Sequence, residues 1–340
     1  MKVSVCVPAY ERPATLEKLI RSVQAQKGVE WEVCISDDSP TDAVQTMVGA
    51  LDPSGTRYRR NPVNLGYHAN LKAALKMATG DVLVVLGDDD LLVSDRPLER
   101  YARAFEEHPQ AGFAYANLLQ IDDQDETTLR YDLFSQSTEW TPGAQAIRHL
   151  LLCSIMITGM AFRASADPIS FYPSETMLFP QVALTRDLLL RHSGVGITEH
   201  LSAMRAWDEQ LGFNENSKRA ARIGPRHGNI EIMEVIASIA DACADAVLVI
   251  RELERQYARA YTTNLVNERI HNGRWVVCKN VVELARRNRA ARRSPLLLAV
   301  WLAAMVLPAG TAMRLKLLAR HAAMQFVSRR PEPQIERLGP

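Results

Sequence analysis

The sequence predicts an α/β fold, a mostly parallel wound sheet with helices on both faces, and three observations predict it. Short apolar, β-branched runs recur through the first ninety residues, each run is followed by an amphipathic helical stripe, and the polar residues collect just after each run. In such sheets the loops at the carboxyl ends of the strands form one rim, where ligands bind.

Each element follows from its residues. Residues 3–7 (VSVCV) suit a central strand covered on both faces. Pro8, Ala9, Tyr10, Glu11, Arg12 and Pro13 break it, and Leu16, Leu19, Ile20 and Val23 give the stripe of a helix starting near Thr15. Residues 31–36 repeat the strand, Asp37, Asp38, Ser39, Pro40, Thr41 and Asp42 make the loop, and 43–51 the helix. Residues 57–60 read as a short third strand. Asn61, Pro62, Asn64 and Gly66 turn into a helix with Leu71, Ala74, Leu75 and Ala78 on one face, capped by Gly80. The run 82–86 (VLVVL) is then a buried strand that ends at three carboxylates, Asp88, Asp89 and Asp90. Adjacent acids repel one another. A hard divalent cation, manganese or magnesium, relieves that repulsion and bridges the acids to a diphosphate; a solvated acidic turn capping the next helix is the plainer alternative.

Four polar loops on one rim, Glu11 with Arg12, Asp37 with Asp38, Asn64, and the three aspartates, are hard to explain by helix capping alone. The series VSVCVPAYERPATLEKLIRSV, EVCISDDSPTD, NPVNLGYHANLKAAL and GDVLVVLGDDDLL resembles the family 2 glycosyltransferases of the GT-A fold, over about the first 120 residues. That resemblance implies a nucleotide-diphospho-sugar donor and a saccharide or lipid-linked saccharide acceptor. It assigns donor contacts to Pro8, Ala9, Tyr10, Glu11, Arg12, Asp37, Asp38, Asn64, Gly66, Asp88 and Asp89, and a Mn2+ or Mg2+ ion to Asp88, Asp89 and Asp90. Two positions depart from the family pattern. Glu11 stands where many relatives have Asn, and Gly87 occupies the first place of one register of the D-x-D-D motif, leaving Asp88 with Asp90, or Asp89 alone, as the metal ligand.

In the middle section Leu98, Tyr101 and Phe105 mark a helix, 112–116 a strand near the aspartates, and 121–130 a polar surface hairpin. Residues 158–163 resemble the family segment that returns from the acceptor side into the sheet. An inverting transfer needs one carboxylate to take the acceptor proton. No Glu-Asp pair follows this segment, so the candidates are Asp187 and Glu175, each also readable as an ordinary surface acid. Phe179, Pro180 and Gln181 are similar to a variant of this region in transferases of unusual deoxy-sugars. Arg205 resembles a trailing arginine that contacts the diphosphate, with a surface salt bridge as the alternative.

Residues 230–261 carry a long, mostly uninterrupted helical pattern suited to a packed core or a homodimer helix. Arg286, Arg287, Arg289, Arg292 and Arg293 then precede the uncharged stretch 295–313, followed by Arg314, Lys316 and Arg320. Pro308, Gly310 and cations on both flanks argue against a membrane span. Leu315, Leu318, Ala319, Ala322 and Phe326 read as an amphipathic helix on an anionic membrane surface.

The chain has 340 residues, 47% of them hydrophobic, and a formal net charge of +1, which excludes nucleic-acid binding by bulk electrostatics. Its five cysteines are scattered and read as buried reduced thiols, and no leader pattern precedes Pro8. The expected organisation is a GT-A domain at 1–212, a helical extension at 213–283 and a basic, apolar, membrane-associated region at 284–340, in a cytoplasmic protein held peripherally at the inner face of the cell membrane. The expected function is metal-dependent, inverting glycosyl transfer in cell-surface polysaccharide or glycan synthesis. A non-catalytic scaffold that keeps the fold and a sugar-phosphate nucleotidyltransferase are the alternatives; the latter is disfavoured because no glycine-rich loop follows the first strand.

Overall fold

The computed structural model describes residues 1–205 and 228–306, apart from 241, 244, 272 and 273. The chain divides into two compact units, one within 1–206 and one within 207–332.

The first unit is built on one mixed sheet. Its strands are β1 (Lys2–Ala9), β2 (Glu30–Asp37), β3 (Thr56–Arg60), β4 (Val82–Val85), β5 (Leu91–Leu92), β6 (Ala111–Ile121), β7 (Thr127–Tyr131), β8 (Thr138–Trp140), β9 (Met160–Arg163) and β10 (Ser193–Arg205). Their order is β3-β2-β1-β4-β9-β6-β10-β5, with β7 on β6 and β8 on β10. The β3-β2-β1-β4 portion is parallel, as the strand–helix alternation predicts. Beyond it, β9 runs antiparallel between β4 and β6, so the strand predicted beside the aspartates stands one strand further away.

Helices α1 (Pro13–Gln24), α2 (Ala43–Gly49), α3 (Gly66–Met77), α4 (Pro97–Glu107), α5 (Ala144–Leu150) and α6 (Pro180–Leu189) cover the sheet. Proline sits in the first turn of α1, α4 and α6, where its missing N–H costs nothing and its fixed φ suits the helix. This is why α1 starts at Pro13 rather than near Thr15. Leu16, Leu19, Ile20 and Val23 of α1 join Val44 and Val48 of α2 and Leu98, Tyr101 and Phe105 of α4 in one cluster with Val3, Val5 and Val7 of β1. Alternate β1 residues supply that face. Helix α3 packs on β1 and β2 outside that cluster. Gly80 is needed between α3 and β4 because a Cβ there would stand 2.8 Å from the Lys2 carbonyl oxygen.

The second unit is helical: α7 (Gly228–Ala237), α8 (Ala246–His271), α9 (Arg274–Arg287), α10 (Arg289–Arg292) and α11 (Pro295–Val306). The long pattern predicted over 230–261 is therefore interrupted between α7 and α8, where Asp245 takes a left-handed backbone, φ 61°. Ile232, Ile236, Val249, Leu253, Leu265 and Leu284 form the interior. Asn288, fully buried, caps α10 by accepting from Ala291 N at 2.8 Å and donates to the Glu254 carbonyl at 2.9 Å. Among the described residues no helix is long and apolar enough to cross a membrane. The expected amphipathic helix at 315–326 lies outside the described residues. All five cysteines are free, but only Cys6 and Cys34 are buried; Cys153, Cys243 and Cys278 are partly exposed, a correction to the buried reading.

Candidate active site

Strand register creates the site. Ala9 pairs with Asp37 and Asp37 with Arg60, while Cys6 pairs with Val85, so the chain leaves β1, β2, β3 and β4 on one rim. Two of these exits and helix α3 meet at one atom. The Ala9 carbonyl accepts from Asp38 N at 3.0 Å and from Asn70 Nδ2 at 3.1 Å. Asn61 Nδ2 contacts Asp38 Oδ1 at 2.9 Å, Ser36 Oγ at 3.0 Å and Asn70 Oδ1 at 3.2 Å, all of them buried. Asp37 is equally committed, accepting from Ser39 N at 2.8 Å and from Tyr58 OH at 2.7 Å. Asp37 and Asp38 thus shape the loops, and Pro8 and Tyr10 are the half-buried parts of the β1 exit.

Glu11 follows at the exit of β1. Its backbone is left-handed, φ 52°, its N–H donates to Ser39 Oγ at 2.8 Å, and its side chain is exposed. A left-handed L-residue costs roughly 1 kcal/mol, and the gain is the direction of Arg12. Arg12 Nη1 donates to Asp88 Oδ1 at 2.9 Å and to Asp89 Oδ2 at 3.0 Å, while Asp88 Oδ2 accepts from Tyr10 N at 2.8 Å. Burial works against the charge on Arg12, but Asp88, Asp89 and Asp90 hold its proton more tightly than usual.

Asp90 is placed differently. Its Oδ2 accepts from Thr158 Oγ1 at 2.6 Å and from Gly87 N at 2.7 Å. Burial first, and then the neighbouring Asp89 charge, push its carboxyl well above the usual range; burial does the same to Asp88 despite Arg12. Tyr67, whose OH donates to Gln181 Oε1 at 3.3 Å, is half-buried beside this group, with its hydroxyl pKa raised by burial and by Asp90. Among the described residues no group of three or more His, Cys, Asp or Glu side chains encloses a metal position. The donor set nevertheless fits a hard cation: Asp88 and Asp89 already share a positive group between their oxygens, and carboxylates are what magnesium and manganese take.

Other expected residues lie at varying distances from this centre. Asn64 is exposed and turns the chain by accepting from Gly66 N at 2.9 Å; Gly66 itself needs its left-handed φ of 78°. Arg205 is buried at the end of β10, where it donates to the Asp122 carbonyl and at 2.6 Å to Asp125 Oδ1, tying down the β6–β7 turn. Lys18 of α1 reaches the same Asp125 at 2.6 Å. Asp187 is gripped by both prongs of Arg186, at 2.9 and 2.8 Å, two turns along α6 from Gln181. It is not joined to the aspartate cluster. Glu175 is exposed on the loop before α6, and this loop is tied to the first turn of α3: Met177 N donates to His68 Nδ1 at 3.2 Å and Tyr172 OH to the His68 carbonyl at 2.7 Å.

Asn70 and Tyr67 were not singled out by sequence reasoning, and Asn61, Thr158 and Gln181 entered it only as parts of a turn, a returning segment and the 179–181 motif, with no contact assigned. Asn70 had a signal, since it is a polar residue on the buried side of the α3 stripe beside Leu71 and Ala74, and Gln181 follows the helix-starting Pro180. Thr158 had none, because its partner is distant in sequence.

Comparison with known proteins agrees with this geometry. A family model described as glycosyl transferase family 2 matches residues 4–167. The abequosyltransferase RfbV of Salmonella typhimurium is 37% identical over 100 residues, 28% of this chain and 30% of that protein. The chain spans about a third of the length of the curated relatives it matches. Among solved structures, S. aureus TarS 1-349 in complex with UDP-GlcNAc superposes with a TM-score of 0.60 at 15% identity, over 90% of each chain. The mannosyltransferase PcManGT from Pyrobaculum calidifontis, in complex with GDP-Man and Mn2+, gives 0.51 at 16% identity, over 95% of this chain and 80% of that one. These structures share the fold. Residues 4–167, just under half of the chain, carry the pattern of glycosyl transferase family 2.

Proposed function

We propose that the chain is an inverting, metal-dependent glycosyltransferase that moves a sugar from a nucleotide-diphospho-sugar to a hydroxyl of a saccharide or lipid-linked saccharide. The observation that carries this is the convergence of the β1, β2 and β4 exits around the Asp88, Asp89 and Arg12 group. In this reading the β1 and β2 exits receive the nucleoside and Asp88 and Asp89 face the diphosphate. TarS, which shares the fold, is described in complex with UDP-GlcNAc, and this supports such a donor here. A divalent ion held by the aspartates would supply positive charge to the departing diphosphate, as Mn2+ accompanies GDP-Man in PcManGT.

The chemistry is one displacement. A base removes the acceptor hydroxyl proton as that oxygen attacks the anomeric carbon, and the bond from that carbon to the β-phosphate oxygen breaks. Nucleoside diphosphate leaves with the electron pair, and configuration inverts. Glu175 fits the base better than Asp187, because its loop is tied to α3 next to Tyr67 and its carboxylate is open to an incoming acceptor. The apolar surface of α11, where Leu296, Leu298, Leu302 and Val306 are exposed, supports contact with a membrane surface, which suits a lipid-linked acceptor.

Assay with a panel of nucleotide-sugars and saccharide acceptors tests the assignment. Glu175→Gln is expected to lower transfer by about 10²–10⁴ while donor binding stays near wild type, and Asp187→Asn to keep most of the activity. Loss with Asp187→Asn and not with Glu175→Gln would reverse the assignment.

A further inference from the structure

We infer that Arg12 is an exchangeable counter-cation: it holds Asp88 and Asp89 together until a divalent ion takes its place, and its guanidinium then passes to the donor diphosphate. The inference rests on the glycosyltransferase reading above. Its basis is the way one nitrogen, Nη1, is shared between Asp88 Oδ1 and Asp89 Oδ2 at 2.9 and 3.0 Å. Those are the oxygens that a hard ion would require. A divalent ion and a guanidinium on the same oxygens repel each other, so binding of one weakens the other.

The backbone is arranged for this placement. Glu11 is left-handed and its N–H is fixed by Ser39 Oγ at 2.8 Å, yet its side chain stays in solvent. Unfavourable backbone at Glu11 is therefore explained by the residue that follows it. Arg12 is also well suited to leave. It precedes α1 as its N-cap without a side-chain capping bond, its guanidinium is anchored through Nη1 among the described residues, and 26% of its side chain remains exposed. A freed guanidinium has the planar fork that matches two phosphate oxygens. Metal alone then displaces Arg12 into water, whereas metal with diphosphate gives Arg12 a new partner. The two ligands are thereby coupled through one side chain.

The test is a titration of Mn2+ into the full chain without nucleotide, followed by a nucleoside diphosphate at saturating Mn2+, for wild type, Arg12→Gln and Arg12→Lys. Arg12→Gln is expected to bind Mn2+ alone about tenfold more tightly and the nucleoside diphosphate about tenfold more weakly, within the usual range of such couplings. Its melting temperature should rise more with Mn2+ than that of wild type. Arg12→Lys keeps the charge and loses the fork, so its Mn2+ affinity should match wild type while nucleotide binding weakens; it also decides the matter if Arg12→Gln does not fold. Unchanged or weaker Mn2+ binding by Arg12→Gln, or unchanged nucleotide binding by Arg12→Lys, overturns the exchange while leaving the glycosyltransferase reading standing. Failure of wild type to bind any of UDP, GDP, CDP, ADP or dTDP with Mn2+ overturns both.

Discussion

The buried charged side chains around the strand exits and the foot of β2 have named partners, and these contacts fix where the charges of the first unit lie. Glu32, buried at the foot of β2, accepts from Ser4 Oγ at 2.6 Å, Thr79 N at 2.7 Å and Lys2 Nζ at 3.1 Å. Burial alone would raise its carboxyl, but Ser4, Thr79 and Lys2 together bring it down to about 2. A carboxyl lowered by folding contributes stability above its unfolded pKa of ~4.3 and loses it as pH falls toward about 2. Glu32→Gln is thus expected to lower unfolding free energy by ~2 kcal/mol at pH 7 and by about half as much near pH 3. Urea denaturation at the two pH values checks this; an equal loss at both would mean that the ionised form is not what the site selects. Legibility in the sequence ran along the same line. Asp37, Asp38 and Asp88 were visible because they follow apolar runs directly, whereas Asn61 and Thr158 were not, because their roles depend on Asp38 and Asp90 reached across the fold.

Elements were legible where their periodicity is set by a single environment. The strands β1, β2 and β4 are covered on both faces, and α1 and α4 each bury one clean stripe, so composition alone marks them. Sheet order was not legible, since nothing in MAFR says that β9 runs antiparallel between β4 and β6. The break between α7 and α8 was missed for a related reason: Ile232, Ile236, Ile239 and Val249 keep buried spacing on either side of a turn that only Asp245 marks by its backbone. Helix α11 is apolar nearly all round, yet Leu296, Leu298, Leu302 and Val306 are 51–75% exposed. Single exposed leucines are ordinary, but four on one twelve-residue helix form a patch that water disfavours. Leu298→Lys with Leu302→Lys is expected to move the protein from the membrane pellet to the supernatant after cell lysis. An unchanged distribution would remove α11 as the attachment surface.

At the scale of the whole molecule, the first unit carries the chemistry-bearing residues and the family match, and the second is a separate helical body. The sheet places strand exits that are far apart in sequence on one rim, and the family pattern at residues 4–167 is the trace of that placement. Donor identity was not legible because no described contact of the β1 and β2 exits is specific for one base. Calorimetric titration of the full chain with UDP, GDP, CDP, ADP and dTDP, each with and without Mn2+, addresses the diphosphate site directly. At least one of them should bind wild type tenfold or more tightly with Mn2+ present, and the Asp88→Ala, Asp89→Ala double variant should lose that gain. Nucleotide affinity that is indifferent to Mn2+, or a gain that survives the double substitution, would contradict a cation held by these aspartates.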